Sequence, residues 1–476
     1  MTLQTDKIVL ISHDTIGDQM AGPGIRYSNI ARALARHIDL TLAIPSQSPA
    51  WKEEHGTRPH VRRYEHGVWA SLAPIVADAR VVICPPDTIS DFPQLAEGPW
   101  ALAFDDYDPL LSEWLAAASL SDWEWQSIGW AHRMRTLTPH LLQGDFFFCA
   151  SERQRDWMLG VLEATGRLNP HTYAEDHSLR RLVDVVSTGL PADPPQRRRR
   201  VFRDGWPGIA ADDVLVLWGG GLWPWLDPLT AIRAVHAARA RVPQLKLLFP
   251  GTRLPNPNMS GIRTLLPEAR ALVESLGMQD VVHFGDWMPY GDWPDALLDA
   301  DIALTLHIES LETRLAFRSR VLDYLWAGLP TVATSGDATC DLIREYGMGH
   351  VVPPGDVNAV ADALVHMAQA GRPLPGSDVE RARRDLNWDV VVQPLLKFCM
   401  NPRIAPDKLA LREHVGSPHY IEQLNRAAAE TKRAAAETKR IADERDHWKS
   451  TSNAYANGRL MRLLRWLQTG SFNLPS

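Results

Sequence analysis

Three glycines stand in a row in WGGGLWPWLDPLT (218–230), directly after the apolar run VLVLW and shortly before Asp227-Pro228. A backbone that bare lets amide N–H groups come close to a phosphate. Asp at an N-cap with Pro at the first helical position then opens a helix, and a helix N-terminus attracts anions. The same GGG would also serve as a plain tight turn, so its neighbours must decide. In HIESLETRLAFRSRVLDYLWAGLPTVAT (307–334), Arg320 and Asp323 fall one turn apart on a helix that starts near Ser319. The planar fork of arginine suits a diphosphate, and a carboxylate one turn along can accept from both hydroxyls of a ribose. A surface ion pair between the two, contributing little, is the competing reading. A third loop, DQMAGPGIRYSNIARAL, carries Gly22, Gly24 and Arg26 ahead of a helix. No glycine follows three residues after Gly24, which departs from the dinucleotide fingerprint and argues against a dehydrogenase.

These residues need elements to hold them. Short apolar runs recur through the first half: 7–11, 40–44, 80–84, 100–104 and 145–149. The series restarts at 214–218, 245–249, 281–285, 301–306, 331–334 and 350–354, with amphipathic helical patterns between. Continuous apolar strands alternating with helices predict a parallel sheet covered on both faces, twice over. Between the two series, 187–208 is dense in Pro, Gly and Arg and reads as a hinge, its Arg197–Arg200 run being a solvated stretch rather than a nucleic-acid patch. Two such domains bring their strand ends face to face, so a ligand is expected in the cleft between them.

The bulk numbers agree. A chain of 476 residues favours two or three domains, and a net charge of -7 gives no attraction to nucleic acid. The four cysteines, Cys84, Cys149, Cys340 and Cys399, lie far apart without metal-ligand spacing, as in a reducing compartment. The N-terminal apolar run is too short for a signal peptide or a span, and the expectation is a cytoplasmic protein. Beyond about residue 409 the composition shifts. Arg426–Lys432 and Arg433–Lys439 are the same seven residues, RAAAETK, with Arg426–Glu430 and Arg433–Glu437 spaced for helix-face pairs. A solvated single helix and a weak coiled coil (seam Ala427, Thr431, Ala434, Thr438, Ile441) stand as equal readings. In GRLMRLLRWLQ (458–468), Leu460, Leu463, Leu464 and Leu467 form one stripe with Arg459, Arg462 and Arg465 beside it, a pattern that suits either an anionic membrane surface or docking on the protein itself.

RVLDYLWAGLPTVAT resembles the donor-binding helix of the family four retaining glycosyltransferases of GT-B fold. AGPGIRYSNIARAL is similar to their first-domain glycine loop, and VVSTGLP, WGGGLWPW and GDWMPYGDWPDALLDADIAL fall in the family's order, so the resemblance covers about residues 7–400. It implies an α/β GT-B fold of two doubly wound, Rossmann-like domains facing a cleft, 1–196 on the acceptor side and 197–408 for the nucleotide-sugar with its last helix crossing back; the composition shift adds a helical tail, 409–476. It implies that Asp323 holds the donor ribose, Arg320 with Arg318 the diphosphate, and Gly219, Gly220 and Gly221 the nucleotide phosphates, while Gly22, Gly24 and Arg26 close over the sugar. Two departures stand out. Leu315 occupies the place of a glutamate found eight residues before the ribose acid, leaving Glu309 or Glu312 as substitutes, and the ribose acid is Asp rather than Glu. Asp106-Tyr107-Asp108 spells the Asp-x-Asp metal signature of the other large glycosyltransferase fold; with two strand series, this loop reads instead as lining the acceptor cleft, and no metal or cofactor is expected. Asp106, Glu309 and Glu312 are the catalytic candidates, and no general base is assigned.

The implied activity is metal-independent, retaining transfer of a sugar from a nucleotide-diphosphate donor to a hydroxyl on a glycan or lipid-linked acceptor, in bacterial surface polysaccharide synthesis. A nucleotide-sugar epimerase of the same fold, and a catalytically silent sugar-nucleotide-binding scaffold, are the alternatives. Residues 420–468 are the expected place of peripheral contact with the inner face of the membrane, or of self-association.

Overall fold

The computed structural model describes residues 7–49, 59–119, 122–253, 263–408 and 418–469; within the tail, side chains are described only at part of the positions from 430 onward. Residues 7–408 form one compact unit and the tail another. The first sheet comprises β1 (Ile8–Ile11), β2 (Leu40–Pro45), β3 (His60–Tyr64), β4 (Val81–Cys84), β5 (Ala101–Asp105), β6 (Phe146–Cys149) and β7 (Val183–Val185). It is parallel, in the order β3-β2-β1-β4-β5-β6-β7. The second comprises β8 (Val214–Trp218), β9 (Leu245–Phe249), β10 (Val282–Phe284), β11 (Ile302–Thr305), β12 (Thr331–Thr334) and β13 (Gly349–Val352). It too is parallel, in the order β10-β9-β8-β11-β12-β13.

Burial explains why the apolar runs were legible. The four residues of β1, β4, β6, β11 and β12 are buried throughout, as expected where helices cover both faces. Two edge strands escaped the sequence reading. In β3, HVRRY, only Tyr64 is buried, and β7 is three residues long with a central Asp184. An edge strand facing water needs no continuous apolar run, and its charges protect it from further pairing.

The segment expected as a hinge divides. Its arginines fold onto the second domain: Arg198 and Arg199 pair with Asp292, Arg198 also with buried Asp295, and Phe202 is fully buried beside Leu215 and Leu297. The basic run is therefore a staple onto the helix Trp293–Asp299. Near the end of the unit, Trp388, Leu395, Leu396 and Phe398 pack with Ile8, Leu10 and Phe146 of the first sheet, so the helix Gln393–Met400 belongs to the first core. Leu190 and Trp388 exchange backbone bonds with the returning chain, Leu190 N–H to Leu386 at 2.7 Å and Trp388 N–H to Leu190 at 3.1 Å. All four cysteines are buried and unpaired.

In the tail, the helices Pro418–Ala456 and Arg459–Thr469 follow one another. Glu437 pairs with Arg440 at 2.6 Å, and Arg440 with Glu444 at 2.8 Å, so the pair actually formed runs toward the C-terminus rather than back to Arg433. The Arg426–Glu430 pair and the seam positions Ala427 and Thr431 lie outside the described side chains. No helix among the described residues is long and apolar enough to cross a membrane.

Candidate functional site

In each sheet the strand order reverses between two central neighbours: β1 and β4 in the first, β8 and β11 in the second. Ligands of open parallel sheets bind outside the strand ends at such a point. A cavity of about 350 Å³ lies there, between the two domains, walled by Met20–Pro23 and Asp108 on one side and by Gly219–Gly221, Arg320 and Asp323 on the other.

The glycine turn leaves β8 into this cavity. Gly220 has φ +103°, a conformation that L side chains rarely adopt. The other two glycines are needed for close packing: a Cβ on Gly219 would lie 2.6 Å from the Tyr324 hydroxyl, and one on Gly221 2.6 Å from the Trp223 ring. Gly219 N–H donates to Tyr324 Oη at 2.8 Å and is thereby occupied. Gly220 and Gly221 N–H find no acceptor among the described residues. Asp227 caps the helix Pro228–Ala238, accepting from Thr230 N–H at 2.9 Å, but neither it nor the helix N-terminus lines the cavity.

The helix Ser319–Ala327 supplies the charged wall. Its apolar face, Val321, Leu322, Tyr324 and Leu325, is buried in the second core, which turns Arg320 and Asp323 toward the cavity. Arg320 makes no ion pair among the described residues; its Nη1 is buried without a partner, and burial lowers its pKa. The guanidinium lies against the glycine turn, since a Cβ on Gly220 would sit 3.3 Å from its Nη2. Asp323 accepts from Trp293 Nε1 at 2.9 Å, and burial raises its pKa from 3.8 to about 6. The feared surface ion pair between Arg320 and Asp323 is absent among the described residues.

Other expected residues fall differently. Arg318 lines the cavity but spends its fork on Glu312, with both bonds at 2.7 Å, so it reaches a ligand with its charge already matched. Glu312 is buried and positions Arg318, and Glu309 is exposed; neither lines the cavity. Of the first glycine loop, Gly22 lines the cavity, whereas Gly24 packs on the chain, a Cβ there falling 2.5 Å from the Thr15 carbonyl. Arg26 is buried away from the cavity, bonded to Asp105 at 2.8 and 2.9 Å and to the Val186 carbonyl at 2.8 Å, with its plane over the Tyr107 ring. Its role is to fix the helix Gly22–Leu34 to β5, not to close over a sugar. Asp106 is likewise buried, bonded to His140 at 2.9 Å.

The acids that do face the cavity from the first domain are Asp108 and Glu113. Burial raises Asp108 to about 6, and burial together with the charges of Asp108 and Glu312 raises Glu113 well above the usual carboxylate range. Glu113, Arg133 and the wall residues Trp114, Trp287 and Trp293 were missed by the sequence reading. The one signal for Glu113 was an acid in the first turn of the helix after DDYDPL, which ordinarily serves only the helix dipole. No group of three or more His, Cys, Asp and Glu among the described residues is arranged to hold a metal ion.

Comparison with known proteins adds the family context. Residues 213–370 match the family described as Glycosyl transferases group 1. The chain is 29% identical over 210 residues to a D-inositol 3-phosphate glycosyltransferase of Actinosynnema mirum, spanning 43% of this chain and about half, 47%, of that protein. Among solved structures, sucrose-phosphate synthase of Thermosynechococcus elongatus superposes with a TM-score of 0.57 at 16% identity, over 83% of this chain and 98% of that one. Anabaena HepE in complex with UDP and glucose superposes with a TM-score of 0.57 at 13% identity, over 84% and 100%. The fold is GT-B, and the chain resembles the family four glycosyltransferases.

Proposed function

We propose that the chain is a retaining glycosyltransferase that moves a sugar from a nucleoside-diphosphate donor to an acceptor hydroxyl without a metal ion. The observation that carries this reading is the unpaired Arg320 guanidinium laid against the glycine turn, with Asp323 one turn along, at the reversal point of the second sheet. Arg320 and the free Gly220 and Gly221 amides suit a diphosphate, and Asp323 suits the two hydroxyls of a ribose. The UDP and glucose in the Anabaena structure support a donor of this class.

In the reaction, the bond from the anomeric carbon to the diphosphate oxygen breaks and its electron pair leaves with the diphosphate. A bond to the acceptor oxygen forms on the same face. Charge grows on the leaving group, where preorganised donors in a half-enclosed site stabilise it at no reorganisation cost. Asp108, which lines the cavity from the first domain and whose pKa burial raises to about 6, suits the role of taking the acceptor proton at neutral pH. A thermal-shift screen against UDP, GDP, dTDP, CDP, ADP and NAD, with magnesium and with a chelator, tests the reading. One nucleoside diphosphate should raise the melting temperature equally in both conditions, reflecting about 2.7 kcal/mol at a hundredfold excess over the dissociation constant; no shift with any of them sinks it.

The helix Arg459–Thr469 supports peripheral contact with an anionic membrane, as in bacterial surface-glycan synthesis at the cytoplasmic face. Leu460, Leu463, Leu464 and Leu467 are all exposed in it. Vesicles containing phosphatidylglycerol should co-sediment the protein, and the Leu463→Ser, Leu467→Ser double variant should lose most of that binding. Equal sedimentation of both proteins would remove the tail as an anchor.

A further inference from the structure

Between β5 and β6 the chain forms three helices, Leu110–Ala118, Trp123–Leu137 and Pro139–Gln143, and no residue of the second is buried. The helices Gly22–Leu34, Glu152–Ala164 and Val357–Ala370, of similar length, each bury one face. A helix so open to water ordinarily carries polar residues. This one instead exposes Trp123 (78%), Ile128 (65%), Trp125 (51%) and Trp130 (50%). Trp125 and Ile128 share one face of the helix, and Trp123 and Trp130 share the opposite one; large apolar side chains left exposed beside a cavity mark an interaction site.

Two observations tie this surface to the cavity. Trp114 lines the cavity and stacks on Trp125, with ring centroids 6.0 Å apart and planes at 26°. Gly129, one turn beyond Trp125, lets the helices approach: a Cβ there would lie 2.5 Å from the Trp114 ring. One further turn along, Arg133 enters the cavity wall near Glu113. The stripe Trp125, Gly129, Arg133, spaced four residues apart on one helix face, therefore runs from solvent to the acceptor side of the cavity. Its inner end is polar and its outer end apolar.

We propose that this helix pair is the acceptor subsite and takes an amphipathic, glycolipid-like acceptor. The hydroxyl-bearing head lies beside Glu113 and Arg133, and an alkyl chain leaves across Trp125 and Ile128. A bilayer or a second copy of the chain would cover Trp123 and Trp130 equally well, but neither accounts for a stripe that continues inward through a glycine-dependent ring stack to Arg133. The proposal rests on the donor reading above, and its test reads the two separately.

The probe is dodecyl β-D-glucoside with a diazirine at the chain end, used below its micelle-forming concentration, with labelled residues mapped by mass spectrometry. Label is expected within 123–130, falling at least fivefold in the Trp125→Ser, Ile128→Ser variant while the thermal shift with a nucleoside diphosphate is unchanged. That retained shift shows the variant folded and its donor half intact. Label outside the helix pair, or undiminished label in the variant, overturns the acceptor subsite whatever the nucleotide does. Loss of phosphatidylglycerol vesicle binding with undiminished label assigns the surface to a bilayer, and a wild-type dimer abolished in the variant with undiminished label assigns it to a second copy; both overturn the proposal.

Discussion

Arg320→Ala is expected to weaken nucleoside-diphosphate binding about 100-fold, equivalent to about 2.7 kcal/mol. Charge-assisted bonds to a diphosphate are the strong class, and the guanidinium is not shared with any acid among the described residues. Arg318 cannot replace it, because its fork is closed on Glu312. The unliganded protein should not lose stability. Burial already lowers the Arg320 pKa and Nη1 has no acceptor, so the substitution removes a cation that the fold holds without compensation. Arg320→Lys should fall between, retaining charge but losing the planar fork. Calorimetric titration with the nucleotide found in the screen, beside thermal melts of the free proteins, measures both effects. Affinity of Arg320→Ala within threefold of the parent would remove Arg320 from the donor site.

Asp323→Asn should produce opposite changes in binding and stability. The carboxylate is the proposed acceptor for both ribose hydroxyls, and an amide can accept with only one oxygen, so affinity should drop by at least tenfold. Its pKa in the folded chain is about 6, above the ordinary 3.8, chiefly because burial disfavours the charged form. The folded state therefore holds this proton more tightly than the unfolded state does. The destabilisation is absent below about pH 3.8, grows between there and about 6, and is complete above 6. It amounts to at most about 3 kcal/mol, reduced by partial exposure. Asp323→Asn should thus melt several degrees higher than the parent at pH 7.5 and lose that advantage toward pH 4. Trp293 Nε1, now bonded to Asp323 at 2.9 Å, can donate to the amide oxygen, so the variant keeps its local bond. The parent's nucleotide affinity should also decline more steeply than the variant's as pH falls through 6, because in the variant the ligand's own terminal phosphate titrates without Asp323. A variant that melts lower at pH 7.5 would show that the carboxylate stabilises the site rather than straining it.

The sequence by itself determined the two-sheet architecture, because a parallel strand covered on both faces must be apolar along its whole length, and runs such as VLVLW and TVAT carry that requirement in their composition. It also determined the Arg320 and Asp323 pair, since one helical turn fixes which residues share a face, and the apolar face of the same helix fixes which way that face points. Edge strands were not legible, as β3 has one buried residue in five and no periodic signal. Partnership was decided only by the tertiary structure. Arg26 and Arg320 are both arginines near glycine turns, yet Arg26 meets Asp105, which is distant in sequence, while Arg320 meets none. Asp106 and Asp108 are two residues apart, yet one turns inward to His140 and the other faces the cavity. Glu113 and Arg133 acquire their place only when two helices close over Trp114. A charged group's freedom to bind a ligand depends on which opposite charge the fold brings within reach, and that is a property of through-space distance rather than of spacing along the chain.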